Sequence, residues 1–111
     1  MAVVIKQGDS RAIFFDMKVN GATLTPDMIE NLEIYIGQEL RLTYQEGGVK
    51  FDSNSQRWYI WPTQEQTFKL EEGNHPVEIR RKYKNTDMDN VIGHDLDEKI
   101  KVKGSTSREV L

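Results

Sequence analysis

The sequence predicts an all-β fold: an immunoglobulin-like antiparallel β-sandwich of about seven or eight short strands, with one or two single-turn helices. Two observations carry that reading. Apolar residues recur at every second position in several segments, and turn-forming residues separate those segments at spacings of roughly eight to twelve residues. Helical signals are confined to two short capped stretches.

Val3, Ile5 and Lys6 open a strand that ends at Gly8. Ile13, Phe15, Met17 and Val19 then alternate with Asp16 and Lys18, the period of a half-buried strand, and Asn20-Gly21 supplies a hairpin dipeptide tolerant of positive φ. Residues 25–37 fit either period. Thr25 can cap and Pro26 suits a first helical position, so one turn is expected there, leading into a strand through Leu32, Ile34 and Ile36. Leu40, Leu42 and Tyr44 alternate, Gly47-Gly48 offers a turn, and Val49 with Phe51 reads as the return strand of a second hairpin. After a polar turn at 52–56, the segment 57–61 is the most aromatic of the chain and a strand, stopped by Pro62. Thr63-Gln64-Glu65-Gln66 has capping-box spacing, and Phe68 and Leu70 return to the core. Beyond Gly73-Asn74, the residues Val77, Ile79 and Tyr83 alternate with charges, with Arg81 on the apolar side, which suggests a sheet edge there. A turn at 85–90, a short strand at Val91-Ile92 and a last strand at Ile100 and Val102 complete the series.

A chain of 111 residues has room for one core. The expected organisation is a sandwich domain over residues 1–104 and a loose tail over 105–111. Cysteine is absent, which removes disulfides, iron–sulfur clusters, thiolate zinc sites and cysteine nucleophiles together. The apolar run at residues 2–5 is too short for a membrane span or a secretory signal, so no membrane association is expected and synthesis in the cytoplasm of a producing cell is. A net charge of -3 gives no global attraction to phosphate backbones.

Few residues point to chemistry. Asp87, Asp89, His94, Asp95, Asp97 and Glu98 crowd one region, but a calcium loop starting at Asp87 would place Ile92 where glycine is needed, so no metal and no cofactor is expected. His75 and His94 lie in no paired-ligand motif, and no serine sits in a nucleophile elbow. No activity is therefore expected, unless a histidine faces a carboxylate or hydroxyl in a cleft. Arg80, Arg81, Lys82 and Lys84, with Tyr83 among them, read as a charged edge strand rather than a nucleic-acid surface.

Trp58, Tyr59 and Trp61 are more informative. Alternation sends Trp58 and Ile60 to one face and Tyr59 and Trp61 to the other, so one large aromatic set is core and the other a candidate contact surface for a protein or a sugar ring. Val110 and Leu111 form an apolar end on a polar tail, a second candidate contact. The candidate interface is thus Tyr59, Trp61, Val110 and Leu111.

Several landmarks in order resemble the small immunoglobulin-like structural proteins of tailed phages and prophages, and the N-terminal domain of phage baseplate upper proteins. They are Ile5-Lys6-Gln7-Gly8-Asp9, Asn20-Gly21, Trp58-Tyr59-Ile60-Trp61-Pro62-Thr63-Gln64-Glu65-Gln66-Thr67, and Gly73 followed by Val77-Glu78-Ile79-Arg80. The resemblance implies a non-enzymatic virion protein, in the tail or baseplate before the capsid surface. Its partners would be other virion proteins and copies of itself in a symmetric assembly, with no cofactor implied; apart from the resemblance, the acidic net charge gives no expectation of nucleic acid, and a small-molecule ligand is not expected. A baseplate upper protein continues into a fibre-connecting region, whereas this sequence stops at Leu111, which implies a free-standing accessory protein. The rival expectation is a carbohydrate-binding module using Tyr59 and Trp61 as a platform, which needs two or more coplanar exposed aromatics.

Overall fold

The computed structural model describes residues 3–19, 21–84, 91–106, 110 and 111; of residues 91, 92 and 94–98 only the backbone is described. The chain is an all-β sandwich. The described strands are β1 (Val3–Lys6), β2 (Ile13–Phe15), β3 (Lys18–Val19), β4 (Ala22–Thr23), β5 (Ile29–Ile36), β6 (Leu40–Thr43), β7 (Val49–Asp52), β8 (Arg57–Ile60), β9 (Gly73–Tyr83) and β10 (Val91–Lys103). A 3-10 turn (Pro26–Met28) precedes β5, and a short helix, α1 (Gln64–Phe68), follows β8.

One sheet has the order β1-β10-β9-β5-β6, the other β2-β8-β7, and β3-β4 is a small separate hairpin. Among the described strands pairing is antiparallel with one exception: β1 runs parallel to β10, Ile5 opposite Val102. The expected all-antiparallel arrangement is corrected there. A parallel pair joins segments distant in sequence, so no local turn announces it. The β3–β4 hairpin places Val19 opposite Ala22 with Gly21 at φ 81°, while Asn20 itself lies outside the described residues.

Both sheets turn their apolar positions inward. Leu32, Ile34, Ile36 and Ile79 of the larger sheet, and Phe15, Trp58 and Ile60 of the smaller, are almost wholly buried. The ambiguous segment resolves into both periods: a 3-10 turn with Pro26 in its first positions, then strand. Thr25 takes the N-cap position without a side-chain cap bond, its hydroxyl pairing with Asp27 instead. A register shift between Ile29 and Asn31 lets both Ile29 and Leu32 face the core, a spacing that unbroken alternation forbids.

Three further expectations are corrected. The segment 40–51 is not a hairpin: β6 pairs with β5, Leu40 opposite Ile36, while β7 pairs with β8, Phe51 opposite Trp58. The Gly47-Gly48 turn instead carries the chain from one sheet to the other, because β7 brings Phe51 to within 5.1 Å, centroid to centroid, of the buried Trp58 ring. The basic run of 80–82 is not at an edge either, since β9 lies between β10 and β5. Arg81 is tolerated inside because its guanidinium donates to the Lys18 carbonyl at 3.0 Å and to the Tyr83 hydroxyl at 3.3 Å. Finally, the segments at 91–92 and 100–102 belong to one long β10, whose pairing with β9 shifts register between Asp95 and Lys99.

Helix α1 is pinned to the amino-terminal segment. The capping box forms as expected, with Gln66 N–H donating to the Thr63 hydroxyl at 3.2 Å and Thr63 N–H donating to Gln66 Oε1 at 2.8 Å. Thr67, buried, accepts from Gly8 N–H at 2.9 Å and has the Asp9 carbonyl at 2.9 Å. Gly8 is required here, because it holds φ 88° and a Cβ would stand 2.6 Å from the Phe68 ring.

On the outer face of the larger sheet, Glu33 accepts from the Tyr35 hydroxyl at 2.7 Å and from Arg41 Nε at 2.7 Å. The Tyr35 bond, aided by Arg41, holds its carboxyl below the usual range. A lowered folded-state value contributes stability above the ordinary carboxylate value of 4.5, lost as pH falls through the folded value. Because Arg41 is half exposed, the contribution is below about 1 kcal/mol. In urea titrations, the stability gap between wild type and Glu33→Gln is expected to shrink between about pH 6 and pH 3; a gap independent of pH contradicts the assignment.

Candidate functional site

Strand β8 divides its aromatics as alternation requires. Trp58 and Ile60 are fully buried, and Trp61, one residue past the strand and held off it by Pro62, is 60% exposed. The Trp58 indole N–H donates to the Leu24 carbonyl at 2.8 Å, so the buried ring is also satisfied. Tyr59 is half buried, its ring 5.3 Å from Phe14 at 37°, and the Arg57 guanidinium caps Phe14 at 5.3 Å from its centroid while pairing with Asp16 at 3.0 Å. The outer face of the smaller sheet is thus a braced aromatic surface.

Tyr59 and Trp61 line one groove of about 450 Å³ with Leu42, Gly48, Lys50 and Gln66. Lys50 stands opposite Tyr59 across the ladder. No carboxylate lines this groove, and Lys50 makes no ion pair among the described residues. Gln66 is oriented by the capping box: with Oε1 taken by Thr63 N–H, its Nε2 group is left as a donor. The groove therefore offers an apolar plate ringed by donors, suited to an apolar side chain flanked by acceptors.

The structure does not bring Val110 and Leu111 into that groove. Val110 lines a second groove with Ser10, Thr63, Gln64 and Glu65, and Leu111 a third beside Gly8 and Phe68. Both side chains are exposed, Leu111 fully, although Leu111 N–H donates to Gln64 Oε1 at 2.9 Å. For a glycan platform, the described aromatics offer one well-exposed ring, Trp61, and one half-buried ring tilted on Phe14.

His75 meets the condition set for an active site, that a histidine face a carboxylate in a cleft. It lies in β9, nearly buried, with Nδ1 3.6 Å from a Glu39 carboxylate oxygen in a cleft that also includes Glu71, Glu72 and Glu78. Its Nε2 lies 2.7 Å from the Glu71 carbonyl, which can only accept, so that nitrogen carries a proton. Nε2 is thereby engaged within the chain, whereas Nδ1 stands beyond hydrogen-bond distance of the Glu39 carboxylate, and no serine or threonine among the described residues lines the cleft. The Nε2 bond ties residue 71 to β9.

Asp87 and Asp89 lie outside the described residues, as do the side chains of His94, Asp95, Asp97 and Glu98. Among the described residues no group of three or more potential ligands could hold a metal ion, and no helix is long and apolar enough to cross a membrane. Comparison with known proteins finds no matching family model, no matching curated protein and no matching solved structure.

Proposed function

We propose that the chain is a non-enzymatic contact module of a bacteriophage particle, in or near the tail or baseplate, joined to other virion proteins and to copies of itself in a symmetric assembly. The observation that carries the reading is Trp61, a large ring 60% exposed beside Tyr59 in a groove without carboxylates. Burying a tryptophan removes about 150–250 Å² of surface, worth several kcal/mol at about 25 cal/mol per Å² of its apolar part. Association and ordering costs consume much of that, so a single contact is weak and repetition around a ring holds the protein in place.

The strand order supports the immunoglobulin-like part of the reading. With β2, β8 and β7 taken as strands B, E and D, and β10, β9, β5 and β6 as G, F, C and C′, the two sheets follow the variable-type plan. Val110 and Leu111, exposed on the described end of the tail, are a second contact on the same reading.

Mass spectrometry of purified particles from cells that make the chain tests the proposal. The expected result is the chain present in multiple copies per particle, at a fixed ratio to a tail or baseplate protein. Its absence from particles overturns the virion reading; release by free sugar, with specific retention on a glycan surface, would favour the carbohydrate module instead.

A further inference from the structure

The outer face of the larger sheet carries two charge patches side by side. Lys6 of β1 and Lys99, Lys101 and Lys103 of β10 are all exposed and share this face, since Ile5, Ile100 and Val102 between them point to the core. Lys6 stands directly opposite Lys103 in the parallel pair, and like charges directly opposed across a ladder repel. None of the four makes an ion pair among the described residues. On a chain of net charge -3, this is a concentrated basic stripe.

Beside one end of the stripe lies an acidic cleft, formed by Glu78 of β9, Glu71 and Glu72 just before that strand and Glu39 of the β5–β6 turn, while β9 beyond Glu78 is basic with Arg80 and Lys82. Lys99 is in register with Pro76 and Lys101 with Asn74, and those two residues line the cleft that holds Glu39, Glu71, Glu72 and Glu78. Adjacent strands lie about 5 Å apart, so the acidic cleft abuts the basic stripe on one surface. That juxtaposition selects among partners. A polyanion such as nucleic acid or an anionic membrane would meet the stripe and be repelled by the cleft beside it. A second copy of the same surface, turned about a two-fold axis, would set each stripe against the other copy's cleft, and self-complementarity of this kind is what an isologous contact needs.

From these charges we infer that the chain forms a two-fold dimer through this face, the lysine stripe of each copy against the acidic cleft of the other. The contact is separate from the Trp61 groove, which lies on the smaller sheet's side of the molecule, so it stands or falls independently of the virion contact. Attraction between exposed charges is screened by salt, so the dimer is salt-sensitive.

Sedimentation velocity of the full chain, at about 50 mM and about 500 mM salt, tests the inference through two charge-reversed variants, Lys99→Glu/Lys101→Glu and Glu71→Lys/Glu72→Lys. The wild type is expected to dimerise in low salt, with a dissociation constant raised about tenfold or more in high salt. Each variant alone is expected to be monomeric. An equal mixture of the two is expected to recover dimer, because both contacts are then again between opposite charges. Circular dichroism confirms that each variant is folded, and Lys6→Glu/Lys103→Glu with Glu78→Lys is the substitute pair if either is not. A wild type monomeric in low salt, variants that dimerise as well as it does, or a mixture that stays monomeric would each overturn the inference. Binding of a labelled oligonucleotide by monomeric wild type, lost in the lysine variant, would overturn it in favour of a nucleic-acid surface.

Discussion

Trp58→Ala is expected to destabilise the fold by about 3–5 kcal/mol, a large share of the about 5–15 kcal/mol that holds a domain of this size together. The ring is fully buried, and it meets Tyr44 edge-on at 5.7 Å and Phe51 at 5.1 Å. It therefore joins β8 to β7 beside it and to the chain leaving β6 in the other sheet. Truncation leaves a cavity between the layers and also orphans the Leu24 carbonyl that the indole N–H satisfies. Trp58→Phe separates the two effects: it keeps most of the packing but loses the hydrogen bond, and about 1–3 kcal/mol is expected for that loss. Urea unfolding measures both. A Trp58→Ala loss below about 1 kcal/mol would show that the two sheets do not depend on this ring as their common core.

The two tryptophans also show what was legible in the sequence. Strand alternation alone separated Trp58 from Trp61, because the side-chain period of a strand is a local property and Pro62 fixes where the strand ends. The capping box at Thr63 was legible for the same reason: all its partners lie within one turn. Partner choice was not legible. The Gly47-Gly48 turn reads identically whether the chain folds back on itself or crosses to the other sheet, and the difference lies in which sheet receives Phe51. Arg81 misled because a charge on an apolar face usually marks an edge. Here the Lys18 carbonyl and the Tyr83 hydroxyl supply what water would, allowing it inside a central strand. His75 was hidden for a similar reason, since Glu39 and the Glu71 carbonyl reach it from separate segments. The groove around Trp61 was half legible: Tyr59 and Trp61 follow from alternation, whereas Leu42 and Lys50 join them only through the sheet crossing.

Trp61→Ala is expected to have the opposite profile to Trp58→Ala. A side chain 60% exposed supports little packing within the chain, so its loss costs the fold within about 0.5 kcal/mol. Loss of the plate from a contact centre is worth about 2 kcal/mol or more, which lowers occupancy in particles more than tenfold where occupancy is limited by affinity. Removing Val110 and Leu111 is expected to act in the same direction without unfolding the domain, since both are exposed. The most direct measurement places a photoactivatable phenylalanine analogue at position 61 and irradiates assembled particles, with the same analogue at exposed Asn54, in the β7–β8 turn, as the control. The account predicts a covalent adduct from position 61 to another virion protein or a neighbouring copy, and none from position 54. A residue 61 that yields no adduct in particles containing the protein, while Trp61→Ala enters them as well as wild type does, would contradict it.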